Sequence, residues 1–572
     1  SGVLNLVTKT PRTSGGGLIR LTGGELSTTN ADLRWAGDLG SDWYFKVLGG
    51  LRNSGDFTTS RVGRAEYAVP CTTTVTSECL PQERVPPNPL DDNKIYFGGL
   101  RFDKYLGSST VLTLEGGTAH IEGPVFQTGI GRVQQTDVDR PWTRLNLGAN
   151  RWNLLAYYNK RDASRQTALA SGLNLALDSD NVHVELQGNW DFGGGKGRLV
   201  AGGSYEDENI DSFDPRTGRQ TLVFEPVGSE SEAVFAQFDW GFTDHLKLVL
   251  AGRWDDSTLH DSQFSPKASL VYSINPNNTL RFTYNEAFQV ANYSEFYLQA
   301  QVGSANLTAV ELGVCARFGL SCGLGVTPIL AVGNKDLEVE EVKTWEVGYS
   351  GILGTKAFLT IDYYNSENEN FITDLLPQLG TSLGRINPNF GPWQPQTPLP
   401  DAIVQTIRNL VPLLTNNLDG SNILAAVSYT NFGQVDTQGL DLGLNVYFTP
   451  QWRVDFSYSW FDFDIKSEDP GLQNVLLPNS PENKLNLGVS YVGDRWDAGL
   501  SYRWVDDFLW FVGPFQGTVK SYSTVDLVAN YTINDHWSVG VNIANALDDE
   551  HWESFGGDLL GRRALGNVTF RW

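Results

Sequence analysis

The chain has 572 residues, with 42 Lys and Arg against 66 Asp and Glu for a net charge of −24. That balance excludes nucleic acid as a partner, since a phosphate backbone is held by clustered cations. No apolar run reaches the roughly 18 residues that a membrane-spanning helix needs, and no linker or charge block divides a chain too long for one ordinary packed core.

The opening SGVLNLVTKTP is a short apolar strand followed by Lys9 and Pro11, and a Gly-rich start follows at Gly15 to Gly17. From there, alternation of apolar and polar positions predicts strands near 16–26, 29–38, 42–54, 92–104, 110–120, 140–150, 152–162, 180–192, 196–206, 230–242, 245–257 and 265–275. They continue near 278–288, 340–352, 355–367, 424–448, 452–464, 483–493, 495–508, 520–532, 535–545 and 563–572, about 22 in all. Short connections with tight-turn chemistry, such as Gly40 to Asp42, Gly193 to Gly195 and Pro276 to Asn278, alternate with long ones at 55–91, 121–139, 207–229, 289–339, 368–423, 465–482 and 546–562. An even number of strands with short turns at one end and long loops at the other is the expected asymmetry of a transmembrane β-barrel.

The clearest wall pattern lies between Trp452 and Trp504. Trp452, Val454, Phe456, Tyr458 and Trp460 share one face, with Arg453, Asp455, Ser457 and Ser459 behind them. Trp496, Ala498, Leu500, Tyr502 and Trp504 repeat the rule. Eight steps from Trp452 to Trp460 cover about 26 Å of strand, or about 20 Å of height at barrel tilt. Aromatic residues at both margins of an aliphatic band match the two interfaces of a bilayer, so Trp452, Trp460, Trp496, Trp504, Trp537 and Trp572 are read as girdle residues. The sixty Gly and 12% aromatic content suit such a wall and its turns.

Four cysteines fall as two close pairs, Cys71 with Cys79 and Cys315 with Cys322. Both pairs lie in Pro-, Gly- or Thr-rich segments outside the alternating stretches, and read as two loop-pinning disulfides made in an oxidising compartment. The chain contains no Met, so it reads as a processed piece. No metal site, cofactor or catalytic constellation emerges: H-E-x-x-H, Walker and C-x-x-C patterns are absent, GGGKG at 193–197 bridges two strands as a turn, and His245 and His536 stand at turns. Acidic clusters at Glu206 to Glu208, Asp255 to Asp256, Asp506 to Asp507 and Asp548 to Glu550 suit solvated loop charge, with calcium coordination as the alternative.

Loop aromatics Phe126, Phe371, Phe390, Trp393, Trp510, Phe511 and Phe515 are either stacking platforms for a ligand ring or the buried core of the loops. The inward positions Arg253, Arg453 and Arg503 offer a basic lumen lining. PNFGPWQPQTPLP at 388–400 reads as an ordered cap, and DAIVQTIRNLVPLL after it as a short helix.

Several of these stretches resemble TonB-dependent outer-membrane transporters, in which a plug of some hundred-odd residues sits inside a 22-stranded barrel. SGVLNLVTKTP looks like the end of the plug. TYNEAFQVANYSEF followed by GNKDLEVEEVKTWEVGYSG resembles a strand, loop and return strand, with Glu340, Glu341, Glu346 and Tyr349 in the places of the family's acidic run and E-x-G-Y. NFGQVDTQGLDLGLNVYF resembles the family's segment of Thr, Gly and alternating positions. NIANALDDEHWES is similar to the N-x-F-D-x-x-Y box with Leu547 replacing the aromatic, and GRRALGNVTFRW ends in the aromatic pattern that barrel-assembly machinery reads. The resemblance implies residues 1–14 as the plug's C-terminal remnant, with most of the plug and its TonB box missing, and 15–572 as the barrel. It further implies residence in the outer membrane of a Gram-negative-type bacterium, among lipid and lipopolysaccharide. A TonB-type coupling protein would act through the missing N-terminal part. The implied solute is most often a ferric siderophore. Cobalamin, another metal chelate or an oligosaccharide, a passive porin-like channel and a non-transport surface barrel are the alternatives. Phe126, Trp393, Trp510, Phe511, Phe515, Arg253, Arg453 and Arg503 are the expected solute contacts.

Overall fold

The computed structural model describes residues 8–58, 60, 83, 92–377, 391–417, 420–466, 479–513 and 515–572. Its main sheet contains 24 strand segments. Gly131–Asp139 and Trp142–Gly148 share one position in the wall, and Val125–Thr128 only flanks it, so the wall is a closed antiparallel barrel of 22 strands. Closure is made by Gly16–Gly24, which pairs with Thr28–Gly40 on one side and with Arg563–Arg571 on the other. In lipid every backbone N–H and C=O must be paired within the wall, and a cylinder without edges does this.

Alternation sets the two faces. In Leu177–Phe192 the outward Val182, Val184, Leu186 and Trp190 are exposed, while Asn181, His183 and Glu185 between them face the lumen. Trp452, Trp496, Trp537 and Trp572 are 48%, 55%, 44% and 50% exposed, as rings that meet lipid should be. Trp460 and Trp504 are half-buried. Neighbouring aromatics brace the short-turn margin, with Trp452 against Tyr491, Trp496 against Tyr531 and Trp537 against Phe570 at 5.0, 4.5 and 4.8 Å between ring centroids. At this end the connections between wall strands hold only two to four residues. His245 and His536 sit there, their Nδ1 atoms bonded to the carbonyls of Ser273 and Arg571 at 2.7 and 2.8 Å.

The other end carries the loops, and they fold. Gln299–Asn306, Val326–Val332, Asn422–Ser428 and Leu376–Pro377 form one sheet, to which Leu414–Asn416 adds an edge. The expected helix is Asp401–Leu410. Cys315 and Cys322 are bonded and pack with Trp393, Ile403 and Ile407. Cys71, Cys79 and Phe390 lie outside the described residues.

Several wall strands run about five residues past their predicted loop-side ends, among them Trp152–Ala168, Gly197–Asp211, His260–Asn275 and Ala357–Ile372, and two predicted elements change in kind. The single strand expected at 424–448 is two elements, Asn422–Ser428 in the loop sheet and Asn431–Tyr447 in the wall. The break falls where Tyr429 buries its ring and Asn431 turns its amide to the carbonyls of Glu338 and Asn370 at 2.9 and 2.8 Å. The long loop expected at 121–139 is mostly strand, because Val133 and Val138 bury apolar side chains under the loops.

Residues 8–14 lie inside the lumen near the short-turn end. Lys46 donates to the Lys9 carbonyl at 2.9 Å, and the Arg12 guanidinium covers the Tyr105 ring at 4.6 Å.

Candidate ligand-binding chamber

Three consecutive strands, Trp152–Ala168, Leu177–Phe192 and Gly197–Asp211, aim alternate residues into the loop end of the lumen. They supply Tyr157, Asn159 and Arg161, then Ser179, Asn181 and His183, then Glu206 and Glu208. The imidazole of His183 stacks on Tyr157 at 4.9 Å. A one-turn helix, Tyr293–Tyr297, roofs this wall and is closed by a capping box of Asn292 and Glu295. Its Tyr293 hydroxyl donates to Glu208 at 2.6 Å and also bonds Ser229. Beneath the roof is a cavity of about 510 Å³, lined among others by Arg140, Asn159, Arg161, Asn181, Glu208 and Tyr293.

A second, smaller cavity of about 190 Å³ lies alongside. Its walls are mostly apolar, from Phe126, Ile130, Val133, Leu175, Leu222 and Leu298, and Arg161 and Gln166 also border it. Arg161 therefore lines both spaces. Its Nη2 donates to the buried Gln166 at 2.8 Å, whereas its Nε has no partner among the described residues. Arg140 is close enough for the two guanidinium groups to repel. Among the described residues no carboxylate pairs with either.

The loops over the chamber are held by buried polar groups. Arg132, nearly inaccessible, reaches Glu83 at 2.6 Å, Asp558 at 2.8 Å and the Thr58 carbonyl at 2.9 Å, joining three loops at one point. Asp374 accepts backbone N–H groups from Leu375 at 2.7 Å and from Gly513. Burial nevertheless pushes its carboxyl up, as it does that of Glu295 beside it. In the last loop His551 lies on Tyr522, and its neighbour Glu553 pairs with Arg503.

The expected solute contacts divide. Phe126 is 38% exposed and lines the smaller cavity. Trp393 is fully buried beneath the disulfide, its indole N–H donating to Asn422 at 2.9 Å. Phe511 and Phe515 are buried and Trp510 is half-buried, packed into a hairpin and its surroundings. Phe371 belongs to the wall strand Ala357–Ile372. Arg253, Arg453 and Arg503 each carry an acidic partner, Asp255 at 2.8 Å, Asp455 and Glu553 respectively, so their charge is already matched. Sequence reasoning missed Arg140, Arg161, Gln166 and Tyr293. Alternation points Arg161 inward, but nothing local says that it lacks an acid. It also missed His120, Asp137 and Asp139, whose ligand atoms lie within 4.8 Å of one another on the outward face. There His120 bonds Asp139 and Ser164 bonds Asp137, at 2.9 and 2.8 Å.

The family described as TonB dependent receptor-like, beta-barrel, matches residues 5–546. The metal-pseudopaline receptor CntO of Pseudomonas aeruginosa is 27% identical over 126 residues, which are 21% of this chain and only 18% of that receptor. Among solved structures, the siderophore receptor PirA from Acinetobacter baumannii superposes with a TM-score of 0.67 at 15% identity, over 97% of this chain and 80% of that one. The ferric enterobactin receptor PfeA from Pseudomonas aeruginosa gives 0.67 at 14%, over 98% and 80%. At those identities the likeness is one of fold.

Proposed function

We propose, from the premise that the chain belongs to the TonB-dependent receptor β-barrel family, that it takes up a scarce solute across the outer membrane and that the solute is a metal chelate of the siderophore kind. The observation that carries this reading is the chamber itself. A cavity of about 510 Å³ with polar and charged side chains in its wall sits at the loop end of a 22-stranded wall, under a roof tied to that wall by Tyr293. Organic ligands are commonly held in such spaces, between a rigid scaffold and its loops. CntO is named for metal-pseudopaline, PirA for a siderophore and PfeA for ferric enterobactin, which supports a chelate over cobalamin or an oligosaccharide.

In this reading residues 1–14 close a plug domain, and the contacts of Lys9 and Arg12 with the lumen wall are the last of the plug's attachments. Force from a TonB-type protein reaches the plug through the segment before it, and the outward face meets lipid and lipopolysaccharide. The test is accumulation of radiolabelled iron, nickel and zinc chelates by cells producing the full-length protein, with and without an energised inner membrane. Uptake that stops when the energy supply is removed is the expected result. A large constant conductance of the full-length protein in planar bilayers would instead make it a passive pore.

A further inference from the structure

Arg161 stands in a different electrostatic position from the lumen arginines that pair with acids. Arg253, Arg453 and Arg503 have one carboxylate each, and Arg281 has two, Glu346 and Asp362. Among the described residues Arg161 has only the neutral amide of Gln166, and its Nε is orphaned. A guanidinium withdrawn from water without a counter-charge is costly to keep, and here Arg140 adds a second positive charge to the same cavity. Glu208, a lumen-facing acid that lines the same cavity, is occupied. One oxygen accepts from Asn181 at 3.2 Å and the other from Tyr293 at 2.6 Å. A chain of net charge −24 thus keeps an unmatched cationic spot inside its chamber.

We infer that the two cavities meeting at Arg161 form one bipartite subsite for an organic anion, which places a carboxylate against Arg161 and Arg140 and an apolar ring or short alkyl part in the smaller space. The guanidinium fork suits a carboxylate, which it can hold through two parallel N–H···O bonds, and Gln166 fixes its orientation from behind. A ring fits next to it: apolar cavities of roughly 150 Å³ take benzene, and this one measures about 190 Å³ between Ile130, Val133, Leu175, Leu222 and Leu298. A fully polar acid would leave that wall unmatched, and an apolar alcohol would leave the arginines unmatched. The inference rests on the uptake reading for its purpose, as the recognition of an aryl or alkyl carboxylate arm on the transported chelate. It does not depend on that reading for its chemistry.

Ligand-observed NMR titration of the purified full-length protein tests it, with benzoate, salicylate, benzyl alcohol and inorganic phosphate as probes. Benzoate and salicylate are expected to bind at least tenfold more tightly than benzyl alcohol or phosphate. Arg161→Gln should weaken benzoate at least tenfold, and Ile130→Trp, which fills the smaller cavity, should do the same. Lys247→Gln, at a short-turn Asp239 pair, should leave it unchanged. Heat-modifiable gel mobility verifies that each variant is folded. Benzoate affinity unaltered by Arg161→Gln, or no benzoate binding to the native protein, overturns the subsite. Phosphate binding as tightly as benzoate overturns its apolar half. In the uptake assay, benzoate binding without energised uptake of any chelate refutes the transport reading alone. Energised uptake with no effect of Arg161→Gln on benzoate refutes the subsite alone.

Discussion

The last long loop is tied to the wall by charge as well as by apolar packing. The His551 ring lies on Tyr522 with centroids 4.2 Å apart, its Nδ1 donates to the Asp549 carbonyl at 2.7 Å, and its Nε2 stands 3.7 Å from Glu553, an ion-pair distance. Burial works against the imidazolium, yet Glu553 and the Asp549 carbonyl hold the His551 pKa above its ordinary value. His551, against burial and with help from Arg503, holds the Glu553 carboxyl down to about 2. The raised histidine stabilises the attachment fully below its ordinary pKa of about 6.5, and that contribution is lost as pH rises through the raised value. The lowered glutamate contributes above about pH 4.5 and loses its effect only as pH falls toward 2. The tie is therefore strongest near pH 5 to 6 and loosens on the alkaline side. Hydrogen exchange of residues 545–562, corrected for intrinsic rate, should speed up severalfold between pH 6 and pH 8.5, and Glu553→Gln should flatten that dependence. An unchanged corrected rate in the native protein would remove His551 from this role.

Among the elements, the loop sheet and its helix behave as a small folded unit of their own. The disulfide of Cys315 and Cys322 closes a ring with a sequence separation of 7, worth about 2 kcal/mol through the unfolded state of the loop. Packed under it are Trp393 and Ile407, both fully buried. Replacing both cysteines by Ser should raise hydrogen exchange across 391–417 about thirtyfold while the wall melts at its native temperature. A matching fall in wall stability would show that loops and wall open as one unit. The wall was legible in the sequence because lipid outside and water inside impose a period of two on every strand. The three segments between Trp452 and Trp504 announce it without reference to any neighbour. The loops are different. The apolar positions slip from Val427 and Tyr429 to Phe432, Leu440 and Leu442, a slip that reading 424–448 as one strand passes over and whose cause is Tyr429 meeting the Phe296 and Leu375 cluster. Trp393, in a Pro-rich stretch, has the look of a surface platform, and only the distant disulfide explains why it is core. Arg161 and Arg253 both read as inward arginines. Asp255, two residues from Arg253, neutralises it within its own strand, whereas the isolation of Arg161 depends on strands and a roof far away in sequence.

For the molecule as a whole, the property that must not fail is closure, since a barrel opened along one seam presents unpaired backbone to lipid. The seam is the pairing of Gly16–Gly24 with Arg563–Arg571, continued by bonds from the Gly17 N–H to the Trp572 carbonyl at 3.0 Å and from the Trp572 N–H to the Gly17 carbonyl at 3.2 Å. Gly17 is there because of the indole: a Cβ at that position would fall 1.9 to 2.3 Å from atoms of the Trp572 ring, inside any van der Waals contact. Gly17→Leu must push the ring away or shift the register, and a one-residue shift would turn the lipid face of the last strand inward. The expected result is loss of the compact, fast-running band in unheated detergent gels, while Gly194→Asn, at a turn with φ of +68° and open space around it, keeps that band. If the damage comes from overlap rather than from glycine's backbone freedom, Gly17→Leu combined with Trp572→Ala should recover much of the folded band, because the smaller side chain vacates the same volume. Failure of that rescue would mean that the terminal indole holds the seam through its own contacts, among them the Phe570 ring at 5.8 Å, and that the glycine merely makes room for it.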